Sequence, residues 1–367
     1  MYLRTCVLTL LCSTAVAAAL LGQQSTTAPA AQEGTYVAHN FHFHTGESLP
    51  EMKLHYLTLG TPRRDSHGQV TNAVMILHGT TGTGAQFMAP YFAGVLFGPG
   101  QLLDASRYYI VLPDGIGIGG SSKPSDGLHA RFPQYDYADM VAANQLLLTQ
   151  GLHVNHLRLV MGTSMGCMQS WMVAEMYPGF ADAAMPLACL PVEIAGRNRM
   201  MRKMLMDAIA DDPAWHHGDY TTQPPGLRTA WEIMLIMGSS PLQMQKNYPT
   251  AEAADTFLEG FLNARMKTSD ANDVLYQFNA SRDYDPSSKL STIQIPVMYV
   301  NSADDFINPP ELGIAQQKIK LVPKGRFVLL PITDQTRGHG THTMAAIWQQ
   351  YLAQLLAESA THSTGTP

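Results

Sequence analysis

Positive charge is scarce in this sequence. The 367 residues include 23 lysines and arginines against 29 aspartates and glutamates, so the formal net charge is −6. Without a basic excess the chain cannot neutralise a run of phosphates, which argues against a nucleic-acid partner. Hydrophobic residues make up 46% of the chain, and this content argues against disorder. The sequence is long enough to bury one large core or two smaller ones.

Cysteine is rare, with four residues in the whole chain. Cys6 and Cys12 lie in the N-terminal segment, so Cys167 and Cys189 are the two left in the remainder. Two cysteines are too few for a disulfide scaffold. An exported protein could bridge them, but both fall in apolar runs, and we expect two buried free thiols.

Long hydrophobic runs are missing after the N-terminus, and no internal run reaches the roughly 18 apolar residues of a membrane span. At the N-terminus, Arg4 precedes apolar and small residues from position 6 to 21. This pattern predicts a signal peptide over about 1–22, followed by a polar linker at 23–34. The alternative is an uncleaved membrane anchor. The predicted location is the periplasm or the outside of the cell.

Strand-like and helix-like segments alternate along the rest of the chain. Short apolar runs that end in glycine, proline or polar residues are typical of buried parallel strands, and they occur at 73–77, 108–112, 157–161, 184–188, 296–300 and 327–330. Helical spacing of apolar residues occurs at 137–150, 165–177 and 343–356. This alternation predicts the α/β class, with a mostly parallel sheet covered by helices on both faces.

The alternation breaks in a Met-rich stretch that has helical character and no clear strand. We therefore predict a helical lid inserted at 191–285 between two parts of one core, which span 35–190 and 286–358. A short flexible tail is predicted at 359–367.

The sequence around Ser164 is a G-x-S-x-G motif between a predicted strand and a predicted helix. This context is typical of the nucleophile elbow, in which a tight turn presents the serine at the carboxyl edge of a sheet. A Cβ at Gly162 or Gly166 would clash in such a turn. The N-terminal amides of the following helix would stabilise negative charge at the same place. Ser164 is therefore the predicted nucleophile.

A serine nucleophile needs a base, and the base needs an orienting carboxylate. In this context the chain order is serine, acid, histidine. Asp305 follows the predicted strand 296–300 and is our candidate acid, with Asp304 as the alternative. His339 lies between two glycines ahead of the last predicted helix and is our candidate base, with His342 as the rival.

Two backbone N–H groups are expected to stabilise the oxyanion. One belongs to Met165, which follows the nucleophile, and we assign the other to Thr80 in the loop 78–82. That loop lacks the Gly-Lys-Ser/Thr ending of a phosphate-binding loop. His42 and His44 lie on one face of a strand-like segment, but no third ligand is near in sequence. We therefore predict no cofactor and no metal.

Several motifs give the chain a resemblance to a known family. They are YLTLG at 56–60, GPGQLLD at 98–104 with Arg107 and Tyr108 after it, FP at 132–133, DMV at 139–141, SMGCMQ at 164–169, DPAW at 212–215, GDY at 218–220 and PGL at 225–227. The chain resembles the homoserine O-acetyltransferase group of α/β-hydrolases from about residue 52 to 356. The resemblance implies an α/β-hydrolase fold, an acyl-enzyme intermediate on Ser164, a helical lid over the site, and often a homodimer built through the lid.

One departure from the family bears on the substrate. The family's lid carries an arginine that looks like a clamp for a substrate carboxylate, and here Trp231 takes its place, or Arg228 if the register shifts. An indole cannot form a bidentate pair with a carboxylate.

Acetyl-CoA should also be absent outside the cytoplasm. We therefore expect an exported esterase-like serine hydrolase acting on a small-molecule acyl ester; an O-acyltransferase and a binding protein on a retired hydrolase scaffold are the alternatives.

Overall fold

The computed structural model describes residues 30–360. The predicted signal peptide, most of the predicted linker and residues 361–367 lie outside this part of the chain. The first strand begins at Gln32, inside the predicted linker, and the last helix runs to Ala360, two residues into the predicted tail. Within the described residues, no helix combines the length and the apolar character needed to cross a bilayer.

One eight-stranded sheet forms the centre of the molecule, in the order β1-β2-β4-β3-β5-β6-β7-β8. The strands are β1 (Gln32–His42), β2 (Ser48–Leu59), β3 (Ala73–Leu77), β4 (Tyr109–Pro113), β5 (Leu159–Thr163), β6 (Ala184–Leu187), β7 (Val297–Ser302) and β8 (Gly325–Leu330). β1 pairs with β2, and β2 with β4, in antiparallel fashion, and the other neighbours are parallel. The predicted mostly parallel sheet is confirmed.

Helices cover both faces of this sheet. Those of the core are α1 (Ala93–Leu96), α2 (Tyr137–Leu146), α3 (Met165–Met176), α9 (Ile314–Lys318) and α10 (Ala345–Ala360). Met75 of β3 belongs to one apolar cluster with Trp171 of α3, whereas the adjacent Ile76 belongs to a second cluster with Trp348 of α10. Because both faces are buried, β3, β4 and β6 are apolar and buried at every position.

The segment between β6 and β7 is helical, as the sequence predicts. It contains α4 (Gly196–Ala210), α5 (Gly226–Gly238), α6 (Pro241–Asn247), α7 (Ala251–Thr268) and α8 (Ala271–Asn279). These helices share an apolar cluster of their own, which includes Leu205, Leu227, Trp231 and Phe278. The lid is therefore a small packed unit.

A buried carboxyl group anchors this lid to the core. Asp273 of α8 accepts hydrogen bonds from the backbone N–H (2.9 Å) and the hydroxyl (2.7 Å) of Ser125, in the loop after β4. Burial raises the pKa of Asp273 to about 7, although the bonds from Ser125 work in the opposite direction. The folded lid therefore holds a proton on this carboxyl more tightly than the unfolded chain does.

The stability of the protein is expected to fall as the pH rises from about 4 to about 7. Because the folded pKa of Asp273 lies above the ordinary value of 3.8, ionisation favours the unfolded chain, by up to about 4 kcal/mol at 1.4 kcal/mol per pH unit. An amide resembles the neutral carboxyl, so Asp273→Asn should remove this loss. Urea unfolding of both proteins at pH 5 and pH 8 measures the difference. Equal losses in the two proteins would contradict the role of Asp273.

Candidate active site

The turn between β5 and α3 places Ser164 in a conformation that few non-glycine residues adopt, with φ 54° and ψ −109°. A Cβ at Gly162 would lie 2.2 Å from the carbonyl oxygen of Gly166, and a Cβ at Gly166 would lie 2.0 Å from that of Leu77. Both distances are far below van der Waals contact. The expectation that these two positions require glycine is confirmed, and the chain at Ser164 is a strained, tight turn.

A continuous chain of hydrogen bonds joins Ser164, His339 and Asp305. His339 Nε2 lies 2.8 Å from Ser164 Oγ, and His339 Nδ1 lies 3.0 and 3.1 Å from the two carboxylate oxygens of Asp305. Asp305 follows the end of β7, and His339 precedes a short 3₁₀ turn ahead of α10. Three residues that are far apart in sequence thus meet at the carboxyl edge of the sheet.

The carboxylate of Asp305 is only 2% exposed and well supplied with donors. The backbone N–H groups of Ile307 and Asn308 donate to Oδ1 at 2.9 and 3.1 Å, and the Asn308 amide donates to Oδ2 at 3.1 Å. Burial alone would raise the pKa of Asp305, but His339 and Asn308 outweigh it, and the net pKa is lowered. An ionised Asp305 holds the proton of His339 on Nδ1, which leaves Nε2 free to accept the serine proton.

The two rival residues occupy other positions. Asp304 Oδ2 accepts hydrogen bonds from the backbone N–H of Gly338 (2.9 Å) and from the hydroxyl of Ser240 (3.3 Å) in the lid, and not from His339. His342 packs edge-on against His339 at 5.0 Å between ring centroids. Burial, and next the neighbouring His339, lower the pKa of His342 to about 3, so its imidazole is neutral.

The two proposed oxyanion donors lie next to Ser164. Met165 is the first residue of α3, where helical N–H groups have no acceptor within the helix. Thr80 follows Gly79, whose Cβ position is 3.3 Å from the Cβ of Ser164. The loop that contains Thr80 therefore passes beside the serine, as an oxyanion donor requires.

A buried histidine that sequence reasoning missed holds the Thr80 loop in place. His78 Nδ1 lies 2.8 Å from the carbonyl oxygen of Gly79, and the backbone N–H of Gly115 donates to Nε2 at 2.8 Å. Burial lowers the pKa of His78, which favours the neutral ring that can accept this bond. The sequence feature that could have indicated this role is the His78-Gly79 pair at the end of β3.

A cleft of about 530 Å³ opens between this loop and the lid. Residues 80–83 and Gln86 line it from the core, and Trp231, Phe261 and Arg265 are among the lid residues that line it. The structure therefore brings Trp231 to the cleft together with Thr80.

Arg228, the other predicted substrate contact, is not among the residues that line this cleft. Its guanidinium pairs with Glu259 at 2.7 Å and with Glu232 at 3.6 Å. The position of Arg228 therefore does not support the alternative alignment, in which this residue would bind the substrate carboxylate.

Cys167 and Cys189 form a disulfide, so the expectation of two free thiols is wrong. Cys167 lies in the first turn of α3, three residues after Ser164, and Cys189 follows β6. Their Cα atoms are 5.8 Å apart, within bonding range. An apolar sequence context shows that a cysteine is buried, but it does not show which side chain faces it.

Removal of this disulfide is expected to destabilise the protein. It closes a loop with a sequence separation of 22, and loop-closure entropy predicts a loss of about 3 kcal/mol for a loop of this size. Urea unfolding of the wild type and of the Cys167→Ala/Cys189→Ala variant, without reductant, measures the change. Alkylation of both cysteines in the denatured, unreduced wild type would show that the bond is absent.

One group of potential metal ligands is explained by helix capping. Among residues 30–360, His44, Asp136 and Asp139 form the only such group. Asp136 and Asp139 each accept a hydrogen bond from the backbone N–H of the other at the start of α2, and their remaining oxygens contact His44. His44, which the sequence offers as a possible metal ligand, therefore lies against a capping box.

Comparison with known proteins places this geometry in a family. A model of the alpha/beta hydrolase fold matches residues 72–331. The chain belongs to the α/β-hydrolase family. The predicted resemblance to homoserine O-acetyltransferases is also confirmed, because a homoserine O-acetyltransferase of Pelobacter propionicus is 28% identical over 332 residues, covering 80% of this chain and 87% of that protein.

Other relatives of this α/β-hydrolase carry different names. A probable acyltransferase of Methanothermobacter thermautotrophicus is 26% identical over 300 residues and covers 82% of this chain and 89% of its own. The crystal structure of esterase E22 superposes with a TM-score of 0.77 at 19% identity, covering 89% of this chain and 100% of the esterase. This structural likeness shows a shared fold. The chain is thus an α/β-hydrolase enzyme that acts on acyl groups. Some of its relatives are named for hydrolysis and others for acyl transfer.

Proposed function

We propose that this protein is an exported serine hydrolase that cleaves acyl esters. Ser164 is the nucleophile, His339 the general base and Asp305 the acid that orients it. The single observation that carries the proposal is the unbroken chain of hydrogen bonds from the Ser164 hydroxyl through His339 to a buried carboxylate. The loop that passes beside Ser164 also lines a cleft of about 530 Å³, which is large enough for a small ester.

The reaction proceeds through an acyl-enzyme. Ser164 Oγ attacks the ester carbonyl as its proton moves to His339 Nε2, and the N–H groups of Thr80 and Met165 stabilise the oxyanion. The C–O bond to the alcohol then breaks, and His339 gives the leaving oxygen its proton. A water molecule activated by His339 attacks the acyl-serine and releases the acid.

Two observations favour water over a second alcohol as the acceptor. The disulfide between Cys167 and Cys189 is typical of proteins in oxidising compartments, which supports the predicted export and hence a setting without acetyl-CoA. Trp231 occupies the cleft where the family carries a clamp for an amino-acid carboxylate. An O-acyltransferase is the second candidate, and the names and coverage of the curated relatives favour it.

Product analysis tests the choice. The chain without residues 1–22 is incubated with para-nitrophenyl acetate, and separately with acetyl-CoA and homoserine. We expect turnover of the aryl ester to acetate, and no acetylhomoserine in the second reaction. Accumulation of acetylhomoserine would replace hydrolysis with acyl transfer. Failure to turn over any acyl substrate, together with failure of a phosphonate to label Ser164, would remove both functions.

A further inference from the structure

A small cavity lies between the ring of His339 and the ends of the central strands. Its volume is about 10 Å³, which is about the space that a single water molecule needs. Most of its wall is apolar and comes from three strands and the last helix: Leu187, Val300, Leu330 and Trp348. His339 also lines it, but both ring nitrogens are already bonded, to Ser164 and to Asp305. An occupant of the cavity therefore does not compete with either partner of the base.

Two buried polar atoms at this cavity have no hydrogen-bond partner within the described part of the chain. They are Oδ1 of Asn301 and Nδ1 of His342, and both residues line the cavity. Asn301 is only 3% exposed, and its Nδ2 donates to the carbonyl oxygen of Asn308 at 2.8 Å, which fixes the orientation of the amide. Buried polar atoms are bonded in nearly all native structures. Cavities that stay dry are apolar, so two unpartnered polar atoms at one small cavity indicate an occupant.

Water has the hydrogen-bonding groups that both atoms require. Asn301 Oδ1 can only accept, and the ring of His342 is neutral because burial, and next the neighbouring His339, lower its pKa to about 3. A water molecule donates to Oδ1 and can either donate to Nδ1 or accept from it, so both tautomers of the neutral ring are satisfied. The hydroxyl of Thr341 also lines the cavity; it accepts from the backbone N–H of Arg337 at 2.8 Å and has its own proton available for a third bond. Three bonds are typical of a buried water.

We propose that one ordered water molecule occupies this cavity and bridges Asn301 to His342, and that these two residues position the base against the acid. Asn301 lies in β7, and its Nδ2 holds the loop of Asp305 through the carbonyl of Asn308. Through the water, its Oδ1 holds the loop that carries His339. The ring of His342 lies edge-on to that of His339, at 5.0 Å between centroids, so a restrained His342 also restrains the base. The positioning role rests on the proposed function, because it takes His339 as the base.

A crystal structure of the wild-type protein tests the water directly. We expect electron density for a single water molecule at about 3 Å, the length of a hydrogen bond, from both Asn301 Oδ1 and His342 Nδ1. The same water should be present in Ser164→Ala, because the nucleophile does not line the cavity. A dry cavity, or a ring of His342 turned so that Nδ1 bonds a protein atom, would overturn the proposal.

Two substitutions of equal size test the positioning role. His342→Asn keeps a polar atom near the place of Nδ1, and His342→Leu puts a methyl group there. We expect His342→Leu to lower kcat for para-nitrophenyl acetate by about 10- to 100-fold, the range that a small displacement of a reacting group costs. KM should change by less than about threefold, because His342 does not line the substrate cleft. His342→Asn should keep kcat within about threefold of the wild type, because the bridge is retained. Equal losses of kcat in the two variants would contradict the bridge.

Leu352→Ala is the control for a general loss of packing. Leu352 is buried in the same apolar cluster as Leu330 and Trp348, but it does not line the cavity. Its truncation should lower the urea midpoint of unfolding at least as much as His342→Leu does, while kcat stays within about threefold of the wild type. A similar loss of kcat in both variants would show that His342→Leu acts through stability alone, and would overturn the positioning role.

A spectroscopic measurement keeps this inference distinct from the proposed function. The proton on His339 Nδ1, which is bonded to Asp305, gives a resonance far downfield in the proton NMR spectrum without any substrate. It should persist in His342→Asn and shift or broaden in His342→Leu. If the water and this resonance behave as expected but no ester is cleaved, the bridge stands and the hydrolase falls. If esters are cleaved while His342→Leu keeps the wild-type kcat and resonance, the positioning role is wrong and the hydrolase stands.

Discussion

Ser164→Ala is expected to lower kcat for aryl-ester hydrolysis by at least about 10³-fold, and by as much as about 10⁶-fold if the triad acts as a unit. The serine oxygen forms the covalent bond to the acyl group, and no neighbouring group can replace it. The His339 ring at 2.8 Å would still be present, but without a hydroxyl to deprotonate. Initial rates with para-nitrophenyl acetate over a range of concentrations measure the loss.

Ser170→Ala is the matched control for this experiment. Ser170 is buried in the same helix, and its hydroxyl donates to the carbonyl oxygen of Gly166 at 2.7 Å, away from the reacting atoms. It should retain the wild-type rate within about threefold. Equal rates in Ser164→Ala and wild type would remove Ser164 from the mechanism, and residual turnover would then have to be assigned to another nucleophile.

The sequence predicts the central strands well because both faces of the sheet are buried. β3, β4 and β6 are apolar and buried along their whole length, and such runs are recognisable without any knowledge of their partners. Of the two N-terminal strands, only the end of β1 was predicted, as the strand-like segment at His42 and His44, and β2 was not predicted. In β1 the exposed residues Glu33, Thr35, His39 and Asn40 dilute the apolar signal, because this long antiparallel pair is open to solvent. Its stability comes from pairing with β2, which a local pattern cannot show.

The candidate site likewise combines local features that the sequence predicts with tertiary contacts that it does not. Gly162, Ser164 and Gly166 form a local turn, so their sequence contains most of the information about their geometry. The choice between Asp304 and Asp305 depends on which carboxylate faces a loop 34 residues further along the chain. The same limit applies to Cys167 and Cys189, which meet through the packing of α3 on β6. Contacts between elements are set by tertiary packing, and residue spacing does not encode them.

The disulfide and the acid are physically linked. Cys189 is adjacent to Ala188, whose carbonyl oxygen accepts a hydrogen bond from the amide of Asn308 at 3.1 Å. The same amide donates to Asp305 at 3.1 Å. The disulfide therefore restrains the segment after β6 that helps to hold Asp305, and it also restrains the helix that follows Ser164. This position explains how a covalent link far from the protein surface could preserve the geometry of a reacting site.

Asp305→Asn is expected to lower kcat by about 10⁴-fold while leaving the fold intact. The carboxylate accepts the Nδ1 proton of His339 and thereby keeps Nε2 free for the serine proton. An amide can donate to Nδ1 instead, which moves the ring proton to Nε2, where it blocks the base. The lowered pKa of Asp305 also means that its negative charge stabilises the imidazolium formed during the reaction. Steady-state rates and urea unfolding of the purified variant separate activity from stability.

Asp304→Asn is the control that distinguishes the two adjacent acids. Oδ2 of Asp304 accepts from the N–H of Gly338 and from Ser240, and Oδ1 accepts from the hydroxyl of Ser302. In the variant the amide oxygen can accept the first two bonds and the amide N–H can donate to Ser302, without any change at His339. The variant should lose less than about tenfold in kcat, since a neutral acceptor weakens the support of the loop but leaves the hydrogen bond between Asp305 and His339 in place. A larger loss in Asp304→Asn than in Asp305→Asn would mean that Asp304, and not Asp305, orients His339 during turnover.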